Sequence, residues 1–599
     1  MKNTTFSLLL RILLFVLFAG IMLIKIALIQ WHCIGILLFN PEHCGWVTYC
    51  AFWFPKIAAA MLVALPVFFC RRTWISVLWM LVLDFWAIAN LIYFRANSLL
   101  LSLDAIRMAG NLDGYGSSIL AYTNIDVWVF PLMTCFYLLV ALLCMKTISS
   151  WKVGLTATAA GIMLSLAGGV CSFLSFSEYD ESMQFSHEWL NPFITPTDIA
   201  SANWQTERQQ FNYLNNHSIT AYAVNMVVED IRLSKQRSHP KPETQIQEQF
   251  MNNLPDILHV EALKPDKNII VILVESMESW TLQMHDKNGI CVTEGINEFL
   301  KSHPHFYVPR ITSEVKQGMS GDGLMTANTG LLPISSGAAC LLYSHNTYPN
   351  YSQFYKSSKI VTPVSKTWNK SDAARNYGIH TIIEPDDQRT EYNQTTHRKY
   401  WIDDSIFNES YGATTALLDT AQQPFSICVL TISTHLPFDL YNHSFALNYD
   451  DSIPMNVREY LNCMHYTDHY LTDYLYKLEQ SGVFDNTVIV ITGDHVVFRN
   501  AALEELQTWA KGKPLSVAEE TNYCPFIVFS PDIKESILRQ DTCYQMDIFP
   551  TILALTGLEE YPWHGFGINL LGDEKRQFTE DEAYELSDLI IRSNAFASH

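Results

Sequence analysis

The 599-residue sequence is short of positive charge: 39 Lys and Arg stand against 60 Asp and Glu, a formal net charge of −21 at pH 7. No global basic footprint exists for a phosphate backbone, so nucleic acid is not an expected partner. Charge of either sign is sparse, at 17% of residues, while 49% are hydrophobic, which excludes a disordered chain. The 13 cysteines show no CxxC and no Cys/His pair at zinc spacing. A chain this long is not a small disulfide scaffold. There is no internal repeat, no low-complexity tract and no Walker lysine.

What is present is strongly segregated. Residues 1–175 hold ten basic and five acidic residues, whereas the remainder holds 29 basic and 55 acidic. Five apolar stretches, near 7–29, 48–70, 74–94, 127–145 and 153–176, reach the ~20 residues that a membrane-spanning helix needs. Lys2 and Arg11, Arg71 and Arg72, and Lys146 and Lys152 mark three ends as cytoplasmic by the positive-inside rule. An odd number of spans then places everything after residue 177 outside the cytoplasm. The expected organisation is a five-helix transmembrane domain at 1–177, a juxtamembrane connector at 178–262 and a globular extracytoplasmic domain at 263–599.

Lys25, Lys56 and Asp84 interrupt the apolar stretches. Charge in lipid is costly, so these groups either pair between helices or face a polar cavity able to serve as a headgroup slot. Cys33 and Cys44 share the first external loop, with Cys50 close behind, and pairing there stays open. In the connector, Phe211 to Val228 alternates apolar and polar residues at helical spacing, and Lys235 to Gln249 reads as a linker. That helix rests either on the bilayer or on the next domain.

From residue 263 the texture is α/β. Short apolar runs at Asn268–Val274, Phe425–Ile432, Thr487–Ile491 and Pro525–Phe529 alternate with helical patterns, as buried parallel strands do. Three of these runs end in chemistry: Glu275 after the first, Thr434-His435 after the second, Asp494-His495 after the third. Ligands of open α/β sheets bind beyond the carboxyl ends of strands. Carboxylate oxygens with an imidazole nitrogen suit Mn²⁺, Zn²⁺ or Mg²⁺. The Gly-flanked segment Gln317-Gly318-Met319-Ser320-Gly321-Asp322-Gly323 opens a helix. Ser320 there is either an N-cap or a nucleophile whose proton a nearby divalent ion would help to remove.

These residues resemble the membrane-anchored, sulfatase-like phosphotransferases of the alkaline phosphatase superfamily, of the lipoteichoic acid synthase and phosphoglycerol transferase type. The resemblance runs through nearly the whole chain. "QGMSGDGLMTANTGLLP" is similar to the nucleophile segment, "STHLPF" to the substrate-site histidine segment and "ITGDH" to a metal-binding pair. "CPFIVFSPDI", "QMDIFPTILALTG" and "GFGINLLG" resemble the closing segments of such domains. The chain departs from the family by Ser instead of Thr at 320, and by Met319 and Leu324 where Lys and Glu are usual. The family's aromatic-Asn-Arg run has its nearest match at Glu384-Pro385-Asp386-Asp387 and Tyr392-Asn393-Gln394, without the Arg.

The resemblance implies a catalytic domain at 263–599. Its metal ligands would be Glu275, Ser320, Asp494 and His495, with Mn²⁺ the expected ion. Ser320 and His435 would be catalytic, and His435, Asp386 and Asn393 would contact substrate. It implies transfer of a phosphoglycerol headgroup from a membrane phospholipid to a hydroxyl of an envelope glycolipid or glycan, through a covalent phospho-Ser320, at a bacterial cell membrane. A phosphoethanolamine transferase is the alternative. A sulfatase or phosphodiester hydrolase ranks below it, because neither Ser320 nor Cys340 lies in a Cys/Ser-x-Pro-x-Arg context.

Overall fold

The computed structural model describes residues 2–34, 45–70, 72–97, 100–108, 123–143, 150–176, 218–238, 241–258, 263–335, 337–363, 369–385, 391–393, 398–400, 402–436, 438–439, 441–498, 506–510, 520–593 and 595–596. They fall into two compact units, residues 1–106 with 119–238, and residues 107–118 with 239–599.

The first unit is helical: α1 (Lys2–Ile34), α2 (Trp46–Val63), α3 (Thr73–Asn97), α4 (Val129–Leu143), α5 (Trp151–Phe176) and α6 (Ile219–Ser238). Five of its segments are long and apolar enough to cross a membrane: Thr5–Cys33, Trp46–Phe69, Thr73–Arg95, Ile125–Leu142 and Trp151–Cys171. These match the five expected stretches. The second is interrupted after Val63 and resumes as a short helix at Pro66–Phe69, since Pro66 has no N–H to continue the ladder.

Two of the three interrupting charges pair. The Lys25 ammonium on α1 lies 2.5 Å from Asp84 on α3 and 2.7 Å from Thr134 Oγ1 on α4, and Thr134 donates to the other Asp84 oxygen. One buried polar knot thus joins three spans. Lys56 stays apart from it, donating to the Phe52 carbonyl at 3.1 Å with its ammonium over the Phe52 ring. Cys33 and Cys50 are free thiols, and Cys44 lies outside the described residues.

The described part of the connector is largely helical. Helix α6 runs to Ser238, and α7 (Gln245–Ile257) follows, capped by Thr244. The Thr244 hydroxyl accepting from the Gln247 amide is the signal that a polar, Pro-containing stretch concealed. Helix α7 belongs to the second unit, where Phe250 packs on Phe566 and Phe578.

The second unit is built on β1 (Asn268–Val274), α8 (Glu294–Ser302), β2 (Phe306–Thr312), α9 (Ser320–Thr329), β3 (Ser357–Val361), α10 (Lys370–Asn376), β4 (Thr381–Ile383), β5 (Glu391–Asn393), β6 (Arg398–Tyr400), α11 (Asp403–Asp419), β7 (Phe425–Leu430), α12 (Met455–Gln480), β8 (Thr487–Gly493), β9 (Tyr523–Phe529), β10 (Ile537–Leu538), β11 (Cys543–Tyr544), α13 (Ile548–Leu555) and α14 (Glu580–Arg592). Nine strands form one sheet in the order β10-β2-β9-β8-β1-β7-β3-β4, with β11 beside β2. Strands β8, β1, β7, β3 and β4 are parallel, and β9 runs antiparallel to both neighbours. All seven residues of β1 are buried. Ile270, Ile272 and Val274 share a core with Phe299 of α8, Ile406 of α11 and Leu475 of α12. The intervening Ile269, Val271 and Leu273 point to the opposite face by the two-residue period.

The polar knot gives a test of the first unit. Asp84→Ala leaves the Lys25 ammonium buried without its carboxylate, which costs ~3–5 kcal/mol for a buried pair. The unfolding midpoint of the detergent-solubilised chain should fall clearly. Lys25→Met combined with Asp84→Leu should restore most of it.

Candidate active site

Strand register builds the site. In the β1/β8 pairing Val274 lies opposite Gly493, and in the β1/β7 pairing Leu273 lies opposite Leu430. Glu275 and Asp494 are therefore the first residues beyond neighbouring strand ends. Main-chain bonds carry the register past the strands: Asp494 N donates to Val274 O at 3.2 Å, and Thr431 N to Leu273 O at 3.2 Å. Glu275, Asp494 and His495 come together, their ligand atoms all within 4.8 Å of one another. All three are buried.

Ser320, half-buried at the first position of α9, completes the group. Its Oγ lies 3.1 Å from Glu275 Oε2 and 3.3 Å from His495 Nε2, while His495 Nε2 lies 3.4 Å from Glu275 Oε1. Four ligands ~2.1 Å from a tetrahedral centre are about 3.4 Å apart. The donor set is two carboxylates, one imidazole and one hydroxyl, so the residues fit a divalent ion. His495 Nδ1 sits 3.0 Å from the Val496 carbonyl, the usual way to hold a ligating ring with Nε2 inward.

The local electrostatics agree. Burial pushes the Glu275 carboxyl up, but His495 and then His435 outweigh it and hold it well below the usual carboxylate range. Asp494 goes the other way. Burial, then the charge of Glu275, push it up to about 6. Two carboxylates at this spacing resist carrying full charge together unless a cation lies between them.

Backbone strain surrounds the group. Ser276 has φ +52° and Met319 φ +46°, values a residue with a Cβ holds only when its surroundings dictate them. Ser276 is fixed by N–H donation to Asp494 Oδ1 at 2.8 Å and by Tyr460 OH donating to its carbonyl at 2.7 Å. Met319 is fixed through Asp322, whose Oδ2 accepts from Lys316 N and Gly318 N, each at 2.9 Å. A Cβ on Gly318 would lie 2.0 Å from Asp322 Oδ1, so that turn requires glycine. Gly323 plays a different part. A Cβ there would meet the Asp494 carbonyl at 2.4 Å, so its absence lets α9 press against the strand end bearing the ligands. The amides of Gly321, Asp322 and Gly323 donate to the Gly318 and Met319 carbonyls. Those N–H groups are therefore occupied within the turn, and what the helix start offers an anion is its dipole.

Buried carboxylates brace the neighbouring turns as well. Asp403 accepts from Ile432 N, Ser433 N and Thr467 Oγ1, and burial raises it to about 6. That brace shapes the turn carrying His435, whose Nδ1 lies 2.7 Å from the Leu436 carbonyl. Glu278 accepts from Val497 N, Phe498 N, Trp280 Nε1 and Asn522 N, holding the segment just after His495. Gln545 spans from Glu314 N to the Asp494 carbonyl, 2.7 Å at each end.

Of the residues singled out in the sequence, Glu275, Ser320, Asp494 and His495 meet at one point. His435 lies beside them and outside the ligand group. Asp386 lies outside the described residues, and Asn393 stands on β5, which among the described residues pairs only with β6, in a separate two-stranded sheet. Sequence reasoning missed Lys370. It opens α10, is 6% exposed, and its charge acts on Glu275 and Asp494, while burial lowers its pKa. The signal was present as Trp368-Asn369-Lys370 after β3, an aromatic-Asn-basic run.

Residues 267–558 match the sulfatase family model, and residues 1–195 match that of the lipoteichoic acid synthase N-terminal domain. The chain is a member of the sulfatase-like, lipoteichoic acid synthase-type membrane family. A lipoteichoic acid synthase from Staphylococcus aureus (strain USA300) is 24% identical over 547 residues, covering 87% of this chain and 79% of its own. Among solved structures, the lipoteichoic acid synthase LtaP from Listeria monocytogenes aligns with a TM-score of 0.47 at 17% identity, over 58% of this chain and 98% of its own. The Streptococcus pyogenes phosphoglycerol transferase GacH, in complex with sn-glycerol-1-phosphate, aligns with a TM-score of 0.40 at 15% identity, over 60% of this chain and 94% of its own.

Two tests follow for this member of the family. Gly323→Ala should weaken Mn²⁺ binding ~10–100-fold, the usual effect of disturbing a ligand's support, as read by titration calorimetry. Mn²⁺ affinity should also fall as pH drops below about 6, because Asp494 takes up a proton there and the ion must displace it.

Proposed function

We propose that the chain is a phosphotransferase that moves a phosphoglycerol headgroup from a membrane phospholipid to the hydroxyl of an envelope glycolipid or glycan. One observation carries this reading: a half-buried serine hydroxyl at a helix start, 3.1 Å and 3.3 Å from two members of a buried metal-ligand group. The names of the relatives, lipoteichoic acid synthase and phosphoglycerol transferase, support it.

In this reading a divalent ion held by Glu275, Asp494, His495 and Ser320, by resemblance Mn²⁺, supplies Lewis-acid stabilisation of negative oxygen. Ser320 releases its proton to solvent, and regains one from solvent when the cycle ends, and its Oγ attacks the headgroup phosphorus. The phosphorus–oxygen bond to diacylglycerol breaks, and His435 delivers a proton to that leaving oxygen. A phosphodiester on Ser320 results. The acceptor hydroxyl then gives its proton to His435 and attacks phosphorus, which breaks the bond to Ser320. Lys370 balances charge on the phosphoryl oxygens, and the α9 dipole assists. Asp386 and Asn393 remain candidate headgroup contacts. In this reading the enzyme sits in a bacterial cell membrane with its catalytic domain outside the cytoplasm, which the five apolar helices support.

Intact-mass spectrometry of the Mn²⁺-loaded full chain with phosphatidylglycerol should show a glycerophosphate adduct on the wild type and none on Ser320→Ala. Turnover by Ser320→Ala should fall on the order of 10³-fold or more, while Ser320→Thr, which keeps the hydroxyl, should retain most of it. An adduct that survives in Ser320→Ala rejects the nucleophile. A phosphoethanolamine adduct formed from phosphatidylethanolamine keeps Ser320 and replaces the donor. Lys370→Met should raise KM for the lipid more than it lowers kcat.

A further inference from the structure

Helix α6 is not accounted for by the catalytic reading. Its first ten residues, Ile219–Val228, form a short apolar helix with no Asp, Glu, Lys or Arg, and Glu229 and Asp230 follow at once. One face, Ile219, Tyr222, Asn225 and Met226, is buried. The helix packs within the spanning unit against α1 and α2. Trp86 of α3 donates its indole N–H to the Ile219 carbonyl at 3.4 Å. The other face presents Val224, Val227 and Val228 at 53%, 46% and 37% exposure, the i, i+3, i+4 spacing of one helical stripe.

Depth follows from helix geometry. Trp86 lies nine residues before Arg95, where the third span ends, which is about 13 Å at 1.5 Å per residue. The hydrocarbon core is ~30 Å thick, so Ile219 starts near its mid-plane. Ten residues rise about 15 Å, half the core, which brings Glu229 to the outer surface. A helix start at that depth is tolerated only where protein covers it. Ser218, Ile219 and Thr220 are indeed buried, and the Ser218 carbonyl and hydroxyl accept from Tyr222 N and Ala221 N at 2.8 Å and 3.2 Å.

We propose that Ile219–Val228 is a re-entrant half-span, its Val224, Val227 and Val228 stripe lying against outer-leaflet acyl chains. The occupant is lipid rather than protein because the stripe shares the chemistry and depth of Trp128, Val129 and Leu132, which the outer half of the fourth span exposes at 61%, 36% and 66%. The chain then leaves the bilayer for the last time at Glu229, about sixteen residues before α7 begins at Gln245.

The full-length chain in phosphatidylglycerol-containing vesicles tests this in two ways. With the unmodified protein, a lipid-borne carbene label should mark 219–228 as it marks the five spans, whereas a water-soluble carbene should mark only residues beyond 229. With a photo-crosslinking amino acid at Val224, Val227 or Val228, irradiation should give phospholipid adducts, and at Tyr222 it should give crosslinks to α1 or α2. Labelling of 219–228 from water overturns the half-span. Crosslinks from Val224 or Val227 to the globular unit, or to a second copy of the chain, overturn the lipid assignment.

Discussion

The register of three parallel strands is the constraint on which the rest of the catalytic unit depends. Val274 against Gly493 and Leu273 against Leu430 place Glu275, Asp494 and the Thr431–His435 turn at one level of the sheet. A one-residue slip would turn Glu275 to the opposite face, since side chains alternate with a period of two. Slippage is opposed by burial on both faces. β1 and β8 have no exposed residue, and a one-residue slip of either strand would turn Ile270 and Ile272, or Ile489 and Ile491, out of their core.

On that frame, acidity serves as construction material. Three turns that carry candidate site residues are each held by a carboxylate accepting backbone N–H groups: Asp322 beneath Ser320, Asp403 beneath His435, Glu278 beside His495. Several N–H donors on one buried carboxylate act against the desolvation that would otherwise neutralise it. The braces also explain how strained residues such as Ser276 and Met319 persist, because strain survives only where surrounding bonds over-determine the backbone. The excess of acid in the globular half is thus partly internal.

Much of this was legible in residue order. Long apolar runs carry a signal that needs no tertiary context, so five spans and the four strands nearest the site could be read directly. Glu275, Asp494, His495 and Ser320 stood out because each follows a strand or opens a helix, where side chains point outward by topology. Other features depend on contact. β2, with Pro309 and Arg310 inside it, and β4, only three residues long, look like loops until their neighbours are known. Helix α7 was masked by Pro255 and by low apolar content on one face. Asp403 and Glu278 are ordinary acids in the sequence, and only their burial against amide groups marks them. The Lys25–Asp84 pair was half legible: the need for a partner followed from the cost of charge in lipid, its identity from the packing of α1 on α3.

Lys370 shows how the two levels combine. A lysine at a helix N-terminus is out of place electrostatically, since the dipole there favours anions. It is also buried, and among the described residues no carboxylate reaches salt-bridge distance of it, although Glu275, Asp494 and Glu384 act on it from further away. Burial without a contact pair disfavours the ammonium, and an arriving phosphodiester would relieve that. In the proposed reaction the group would be stabilised by substrate rather than by the fold, which is the condition for binding energy to be expressed when the headgroup is present. An ammonium is a compact point charge and lacks the planar fork of a guanidinium. It can balance a phosphate without fixing its orientation, so in the proposed reaction the orientation of the headgroup would fall to the Ser320 helix start and to His435.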